Sequence, residues 1–287
     1  MILEFLGIYV WYFIAAILGF FIFRKTRRKE IKEEGHTLVI GHRGAAGYAY
    51  QNTYNSFLKA LEIGVDYVEC DVRRSLDGVF FLSHDDKIKT YNLGILSIST
   101  SSSKELKKAV LKGDTRLATI LDYIKIMPEK QNLYFDLKVN GYEFDFLSLL
   151  RNHNVIERCV VTSSYAQSLR LLKVLEPELM VGLSFPRANI GVLGRIMLAP
   201  LLAPTLICIR HIYPFILNFL CSYAKADFVA VYFRLLTKRL IDKAHKNGVL
   251  VFAFSVNRNR NVRKMEKWGV DGIISDYPDR VKAIIHS

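Results

Sequence analysis

Short apolar segments alternate with amphipathic segments along most of this 287-residue chain. Eight apolar segments are rich in β-branched and aromatic residues, as expected of strands that are buried on both faces. These segments are Leu38–Gly41, Tyr67–Asp71, Leu133–Asp136, Cys159–Ser163, Met180–Ser184, Phe228–Val231, Leu250–Phe254 and Gly272–Ser275. The helical patterns between them include Thr53–Ile63, Tyr142–His153, Ala166–Leu175, Thr237–Asn247 and Asn261–Trp268.

This alternation predicts an α/β fold, a (β/α)8 TIM barrel, with active-site residues at the carboxyl ends of the strands. A doubly wound sheet is the alternative fold, but it does not predict a count of eight strands. Several helical patterns end in a glycine that can terminate a helix, as at Gly64, Gly248 and Gly269.

A different pattern opens the chain, because Phe5–Phe23 is an unbroken apolar run. At about 1.5 Å per residue, such a helix nearly matches a hydrocarbon core of roughly 30 Å. Five basic residues follow within residues 24–29, whereas a cleaved signal peptide carries its positive charge before the apolar run. We therefore expect one retained N-terminal transmembrane helix, with the basic flank and the barrel on the cytoplasmic side. The expected domains are the anchor and its flank (1–28), a linker (29–36) and the barrel (37–287).

Two segments interrupt the alternation within the predicted barrel. Residues 86–113 are rich in Ser and Lys, and we expect a long connection over the barrel mouth. Residues 187–225 form an apolar insertion whose longest run, Ile196–Ile209, is interrupted by Pro200 and Pro204. That run is too short to span a bilayer. It is either an extra packing layer or, as the predicted anchor slightly favours, a lip that dips into the lipid bilayer.

The net charge of +13 suits an anionic partner, which could be nucleic acid, a phosphate substrate or an anionic membrane. Because the densest basic cluster adjoins the predicted anchor and no nucleic-acid-binding motif is recognisable, we expect no nucleic acid partner. The four cysteines have no zinc-site spacing, and nothing in their pattern requires an oxidising compartment.

Polar residues end several predicted strands, where the mouth of a barrel would lie. Glu69 and Asp71 end the second strand, and both carboxylates point the same way because residues i and i+2 share a strand face. Asp136 ends the third strand. Three carboxylates at neighbouring strand ends form an oxygen-rich site that suits a divalent cation, Mg²⁺ or Ca²⁺.

Two histidines and two basic residues occupy similar positions. His42 follows the first strand, and His84 follows a further apolar run, Val79–Leu82. Two histidines beside a carboxylate site suit a general acid and a general base. Arg43 and Lys138 can neutralise a phosphate group, Arg43 in bidentate fashion.

An ordered set of motifs resembles the signature of the glycerophosphodiester phosphodiesterase family. The motifs are His42-Arg43-Gly44, Gln51-Asn52-Thr53, Gly64-Val65-Asp66, Glu69-Cys70-Asp71-Val72, Asp77-Gly78, His84-Asp85, Phe135-Asp136-Leu137-Lys138, Phe254-Ser255-Val256-Asn257 and the run from Gly269 to Pro278. The resemblance covers the chain from Leu38 onward except the 187–225 insertion. It implies a TIM barrel that uses one divalent cation to hydrolyse glycerophosphodiesters to glycerol 3-phosphate and an alcohol. Some membrane-bound relatives act on lysophospholipids.

The resemblance also implies roles for individual residues. It implies that His42 and His84 are the acid–base pair and that Arg43 and Lys138 hold the phosphate. It implies a metal site formed by Glu69, Asp71 and Asp136. The implied nucleophile is the substrate's own glycerol 2-hydroxyl, which gives a cyclic phosphate that water then opens.

Three residues depart from the family pattern. Gln51 replaces a glutamate, Asp136 replaces a longer glutamate, and Phe254 replaces a tryptophan, which keeps an apolar wall but loses an N–H donor. The leading hypothesis is a membrane-anchored phosphodiesterase that acts on glycerophosphodiesters or lysophospholipids. The neutral Gln51 leaves open the alternative of a catalytically impaired lipid-binding or scaffold protein on the same barrel.

Overall fold

The computed structural model describes residues 37–113, 115–185 and 217–285. In chain order the strands are β1 Leu38–Gly41, β2 Tyr67–Arg74, β3 Phe80–Leu82, β4 Lys87–Lys89, β5 Ile95–Ser97, β6 Val110–Leu111, β7 Thr115–Arg116, β8 Asn132–Leu137, β9 Cys159–Ser163, β10 Met180–Phe185, β11 Phe228–Tyr232, β12 Leu250–Phe254 and β13 Gly272–Ser275. The α-helices are Tyr54–Ile63, Ser103–Leu106, Ile120–Ile126, Glu143–Asn152, Ala166–Leu175, Lys238–Lys246, Asn259–Trp268 and Pro278–Ile285, and residues 217–224 are also helical.

Eight of these strands form a closed parallel barrel in the order β1, β2, β8, β9, β10, β11, β12, β13. Closure comes from β1, which pairs with β13 on one side and with β2 on the other. All eight predicted strands are present, so the (β/α)8 barrel is confirmed. The doubly wound sheet is excluded, because an open sheet would leave two unpaired edges.

Two apolar layers stabilise the barrel. The larger cluster lies between the strands and the surrounding helices, and the smaller one fills the barrel interior with residues such as Ile40, Tyr134 and Phe252. Interior packing is tight at Gly182, where an added Cβ would lie 2.3 Å from the ring of Phe228. The barrel is therefore a packed core rather than a pore, and ionisable groups can gather only at its ends.

The predicted helices agree with the structure to within two residues at their ends. Gly64 and Gly269 terminate their helices in the left-handed conformation, with φ of 73° and 77°. This conformation is favourable for glycine and satisfies the last carbonyl groups of each helix. The glycine stops predicted at these two positions are confirmed.

Residues 86–113, predicted as a connection, belong instead to a small folded unit, which we call the side domain (residues 86–113 and 115–117). It follows β3, which pairs antiparallel with β2. The side domain contains the β4–β5 hairpin, the short helix Ser103–Leu106 and the β6–β7 hairpin. Its core contains Ile88, Ile98, Leu106, Ala109, Leu111 and Leu117, which pack with Phe81 of β3. Strands of two or three residues are too short to produce a clear alternating pattern, which explains why they were not predicted.

Some predicted segments lie outside the described residues. These are the apolar run Phe5–Phe23, the linker and most of the 187–225 insertion. The described end of that insertion is helical over 217–224, and Leu217, Cys221 and Ala224 pack into the larger apolar cluster. Within the three described ranges, none of the helices combines the length and the apolar character needed to cross a bilayer.

Candidate active site

The structure brings the three predicted carboxylates together at the carboxyl end of the barrel. Strands β2 and β8 are neighbours, and Asp71 lies directly opposite Asp136. Glu69, two residues before Asp71, shares its face. One oxygen from each of the three carboxylates lies within 4.8 Å of the others. The adjacency of two parallel strands therefore creates the cluster.

Asp71 is the centre of a hydrogen-bonded and ion-paired network. Its side chain is 1% exposed, and its oxygens lie 3.0 Å from Arg43 Nε and 2.9 Å from Lys138 Nζ. The Asn52 amide donates to Asp71 Oδ2 at 2.9 Å and accepts from the Asp71 backbone N–H at 3.0 Å. Burial raises the pKa of Asp71, but Lys138 and Arg43 outweigh burial and hold that pKa well below its usual range.

Glu69 behaves in the opposite way. Burial, followed by the charges of Asp71 and Asp136, raises the pKa of Glu69 well above its ordinary value. The backbone N–H of Arg43 donates to Glu69 Oε2 at 2.6 Å. Arg43 and Lys138 act to lower the pKa of Glu69, but they do not outweigh burial and the two neighbouring carboxylates.

Unusual backbone conformations fix this network. Arg43 and Asn52 have φ of 51° and 57°, in the left-handed region that residues with a Cβ seldom adopt. Each such residue costs on the order of 1 kcal/mol and persists only where its surroundings determine it. The two segments are joined directly, because the Asn52 N–H donates to the Arg43 carbonyl at 3.1 Å. The strain therefore lies at two of the residues that contact Asp71.

His42 is held by an acidic partner that directly follows the last strand of the barrel. His42 Nδ1 lies 2.6 Å from Asp276 Oδ1, and the Asp276 backbone N–H donates to Asn257 Oδ1 at 2.9 Å. The Asn257 side-chain amide donates to the second oxygen of Asp276. Burial raises the pKa of Asp276, but hydrogen bonds from His42 and Asn257 help to lower it overall. With Nδ1 engaged, Nε2 is the nitrogen of His42 that can exchange a proton with a ligand.

His84 has a looser arrangement. His84 Nδ1 lies 2.8 Å from Asp85 Oδ1, and the Asp85 side chain is 64% exposed. The Arg73 guanidinium donates twice to the His84 carbonyl, at 2.9 and 2.7 Å. Burial lowers the pKa of His84, and the charges of Arg43 and Lys138 lower it further despite the opposing effect of Asp71. The neutral imidazole of His84 is therefore favoured, which suits a proton acceptor.

A cavity of about 580 Å³ opens at the barrel mouth. Its lining includes His42, Arg43 and Gln51 from the barrel and Lys112 from the side domain. We predicted that residues 86–113 lie over the mouth, and Lys112 and Gly113 of this segment do line the cavity. Aromatic surface is also present, since Tyr48 and Tyr50 line the same cavity.

Two residues that depart from the family pattern have defined surroundings. The Gln51 side-chain carbonyl accepts a hydrogen bond from Arg43 Nη1, so this oxygen orients the guanidinium. Phe254 is half-buried above the barrel-interior cluster, with its ring centroid 6.2 Å from that of Tyr232. Gln51 therefore acts on Asp71 through Arg43, and Phe254 forms part of an apolar wall.

Arg43 and Lys138, predicted to bind phosphate, contact carboxylates in this structure, and their phosphate-binding role stays a prediction. Asp276, Asn257 and Asn52 also belong to the site, although the sequence alone predicts no role for them. Asp276 could have been found by the rule that selected the other residues, because it directly follows the last apolar strand. The pairing of Asn52 with Asp71 had no comparable signal.

The carboxylate cluster fits one divalent cation. Its donors are hard oxygen atoms, which Mg²⁺ and Ca²⁺ prefer. The oxygens of Glu69, Asp71 and Asp136 are close enough to contact one ion together, and the two neighbouring basic side chains show that the cluster attracts positive charge. These residues could therefore hold a metal ion. Their oxygen donors suit both Mg²⁺ and Ca²⁺.

Comparisons with known proteins agree with this geometry. The model of the Glycerophosphoryl diester phosphodiesterase family matches residues 42–280. A glycerophosphodiester phosphodiesterase of Caldanaerobacter subterraneus subsp. tengcongensis is 28% identical, over 85% of this chain and 95% of the relative.

Two solved structures share the fold. A phosphodiesterase of Oleispira antarctica, in complex with the product sn-glycerol-3-phosphate, has a TM-score of 0.70 and 23% identity, over 88% of this chain and 98% of that one. A glycerophosphodiester phosphodiesterase of Parabacteroides distasonis has a TM-score of 0.70 and 20% identity, over 88% of this chain and 97% of that one.

The cation site is testable with Asp71→Asn. This change removes one anionic donor, and we expect the affinity for Ca²⁺ or Mg²⁺ to fall at least about 10-fold, since losing even a hydrogen-bond partner of a metal ligand costs about 10- to 100-fold. Isothermal titration calorimetry measures the affinity. The matched control is Asp227→Asn, because buried Asp227 also pairs with a lysine, Lys173, at 2.8 Å, but lies just before β11 at the opposite end of the barrel. Equal affinities of wild type and Asp71→Asn would contradict the assignment.

Proposed function

The chain belongs to the glycerophosphoryl diester phosphodiesterase family, and on that premise we propose that it is a metal-dependent hydrolase of glycerophosphodiesters or lysophospholipids. The products are glycerol 3-phosphate, or lysophosphatidic acid for an acylated substrate, and an alcohol. The observation that carries the proposal is the cluster of Glu69, Asp71 and Asp136, of which the first two are buried, beside two histidines. The relative from Oleispira antarctica, whose structure contains sn-glycerol-3-phosphate, supports the glycerol phosphate part of the product.

The proposed roles begin with the phosphate group. Glu69, Asp71 and Asp136 would hold one divalent cation, Mg²⁺ or Ca²⁺, which would supply positive charge to polarise the phosphoryl group and acidify the attacking hydroxyl. Arg43 and Lys138 contribute further positive charge at the same place, and both already lie within 3.0 Å of the Asp71 carboxylate. Gln51 positions Arg43 through its side-chain carbonyl.

The histidines transfer the protons. His84 accepts the proton of the attacking glycerol 2-hydroxyl, because its lowered pKa favours the neutral imidazole. His42, oriented by Asp276, gives a proton from Nε2 to the oxygen of the leaving alcohol as the P–O bond breaks. The resulting cyclic phosphate is opened by water, with the two histidines exchanging roles, which returns both to their starting protonation states.

The cavity also supports an acylated substrate as one of the two classes. Tyr48 and Tyr50 line the mouth together with small apolar residues, Ala46 and Ala49. Both tyrosine side chains are more than one third exposed, so they offer apolar surface at the entrance. Aromatic rings of this kind can contact an acyl chain and still keep their hydroxyl groups in water.

An activity assay separates hydrolysis from the alternative of an impaired scaffold. The full chain is incubated with glycerophosphocholine or lysophosphatidylcholine, with Mg²⁺, Ca²⁺ or EDTA, and choline release is measured. We expect release that depends on the cation and falls about 10²- to 10⁴-fold in His42→Ala, the range typical of a lost general acid or base.

The control for that assay is His153→Ala, because His153 is exposed at the end of the helix Glu143–Asn152. This variant should keep wild-type activity. Release that EDTA does not reduce, or a fully active His42→Ala variant, would contradict the proposed mechanism. No release from either substrate would favour the scaffold, for which the neutral Gln51 is the main argument.

We also propose that Phe5–Phe23 anchors the chain as a single-pass membrane protein with the barrel in the cytoplasm. The support is the sequence itself, an apolar run long enough to span, followed by five basic residues within residues 24–29. A protease added to intact cells should therefore leave residues 37–287 uncut, and should cut them once the membrane is permeabilised. Cleavage of the barrel in intact cells would reverse the proposed orientation.

A further inference from the structure

The β4–β5 hairpin of the side domain has two different faces. Ile88 on β4 and its partner Leu96 on β5 face the core of the side domain. Lys89 lies opposite Ile95 on the other face, and both are exposed, as is Lys87 two residues earlier. The outward face therefore combines lysines with an isoleucine that is 72% exposed.

Apolar exposure is concentrated at the tip of this hairpin. Tyr91 is 74% exposed and Leu93 is 41% exposed. Together with Ile95 they place three large apolar side chains within five residues, which we call the apolar tip (Tyr91, Leu93 and Ile95). Single exposed apolar residues are common on protein surfaces, but a contiguous group indicates an interaction site.

The apolar tip is held firmly, so its exposure does not come from a frayed loop. The Thr90 N–H and hydroxyl both donate to the Gly94 carbonyl at 2.8 Å. The Tyr91 N–H donates to the Val110 carbonyl at 2.8 Å, and the Asn92 amide donates to the Lys108 carbonyl at 2.8 Å. These hydrogen bonds fix the turn against residues 108–110, next to Lys107 and Lys108.

The charge around the apolar tip is strongly positive. Residues 86–113 contain six lysines, at positions 87, 89, 104, 107, 108 and 112, and only two carboxylates, Asp86 and Glu105. All six lysines are exposed, and among the described residues none of them forms an ion pair. A surface that joins apolar side chains to uncompensated lysines complements an anionic lipid bilayer, in which apolar groups enter the interface and lysines contact the head groups.

The position of the apolar tip relative to the mouth is consistent with lipid access. Val110, which holds Tyr91, is two residues before Lys112, which lines the mouth cavity. At about 3.3 Å per residue of extended chain, this separation is only about 7 Å. A bilayer in contact with the apolar tip would therefore lie beside the entrance of the cavity.

We propose that the apolar tip and its neighbouring lysines, above all Lys89, Lys107 and Lys108, dock the barrel mouth onto an anionic lipid surface. This docking uses residues other than those of the predicted anchor and of the 187–225 insertion. It also goes beyond the proposed hydrolysis, since a catalytically inactive chain would still dock.

Fluorescence tests the proposal on the full-length chain. Leu93→Cys is labelled with an environment-sensitive fluorophore in a Cys208→Ser background, because Cys70, Cys159 and Cys221 are buried. The chain is reconstituted into vesicles of phosphatidylcholine alone or of phosphatidylcholine mixed with phosphatidylglycerol. We expect a blue shift of the emission only with phosphatidylglycerol, and a weaker shift in Lys107→Gln/Lys108→Gln, since each lysine near an anionic surface contributes about a fivefold factor in binding.

The matched control carries the same label at Val174→Cys, which is 56% exposed on the helix Ala166–Leu175. Its emission should not respond to phosphatidylglycerol. The absence of a blue shift at residue 93, or an equal shift at residue 174, would overturn the proposal.

Discussion

The candidate site is organised by the repulsion among three carboxylates that the barrel forces together. Their oxygens lie within 4.8 Å of one another, and two of the three residues, Glu69 and Asp71, are buried. Two unit charges about 4 Å apart interact with about 4 kcal/mol at an effective dielectric constant near 20. Such a cluster needs positive charge. In this structure Arg43 and Lys138 supply it, Asn52 satisfies Asp71, and the left-handed backbone at Arg43 and Asn52 keeps these partners in place.

The architecture of the barrel explains why these charged groups gather in one place. Apolar side chains fill its interior, and every strand end opens at the same face, so polar residues that follow different strands meet there. Strand closure also links distant parts of the sequence, as in the pair of His42 and Asp276, which are 234 residues apart. The two histidines differ in how firmly their carboxylate partners are held. Asp276, the partner of His42, accepts a hydrogen bond from Asn257, whereas Asp85, the partner of His84, is exposed.

Much of the fold and part of the site could be predicted from the sequence, because both follow local rules. Eight apolar segments separated by helical patterns are enough to indicate the barrel, and the i, i+2 spacing of Glu69 and Asp71 indicates a shared face. Closure of the predicted barrel places Asp276, after the last strand, near His42, after the first, but the sequence does not show which group at the mouth the Asp276 carboxylate contacts. The side domain was missed because its strands are two or three residues long.

The role of Gln51 could not be predicted from its residue type alone. In the structure the Gln51 side-chain carbonyl accepts a hydrogen bond from the Arg43 guanidinium, which in turn pairs with Asp71. A neutral side chain at this position leaves Arg43 free of a second carboxylate. The replacement therefore affects the charge balance of the site through Arg43.

The most direct measurement is anomalous diffraction from crystals of the protein soaked in Mn²⁺, a substitute for Mg²⁺ with the same preference for oxygen ligands. If the three carboxylates form one cation site, the map should contain one anomalous peak within coordination distance of oxygens from Glu69, Asp71 and Asp136. A map with no peak at the cluster, while Arg43 and Lys138 still contact Asp71, would contradict it.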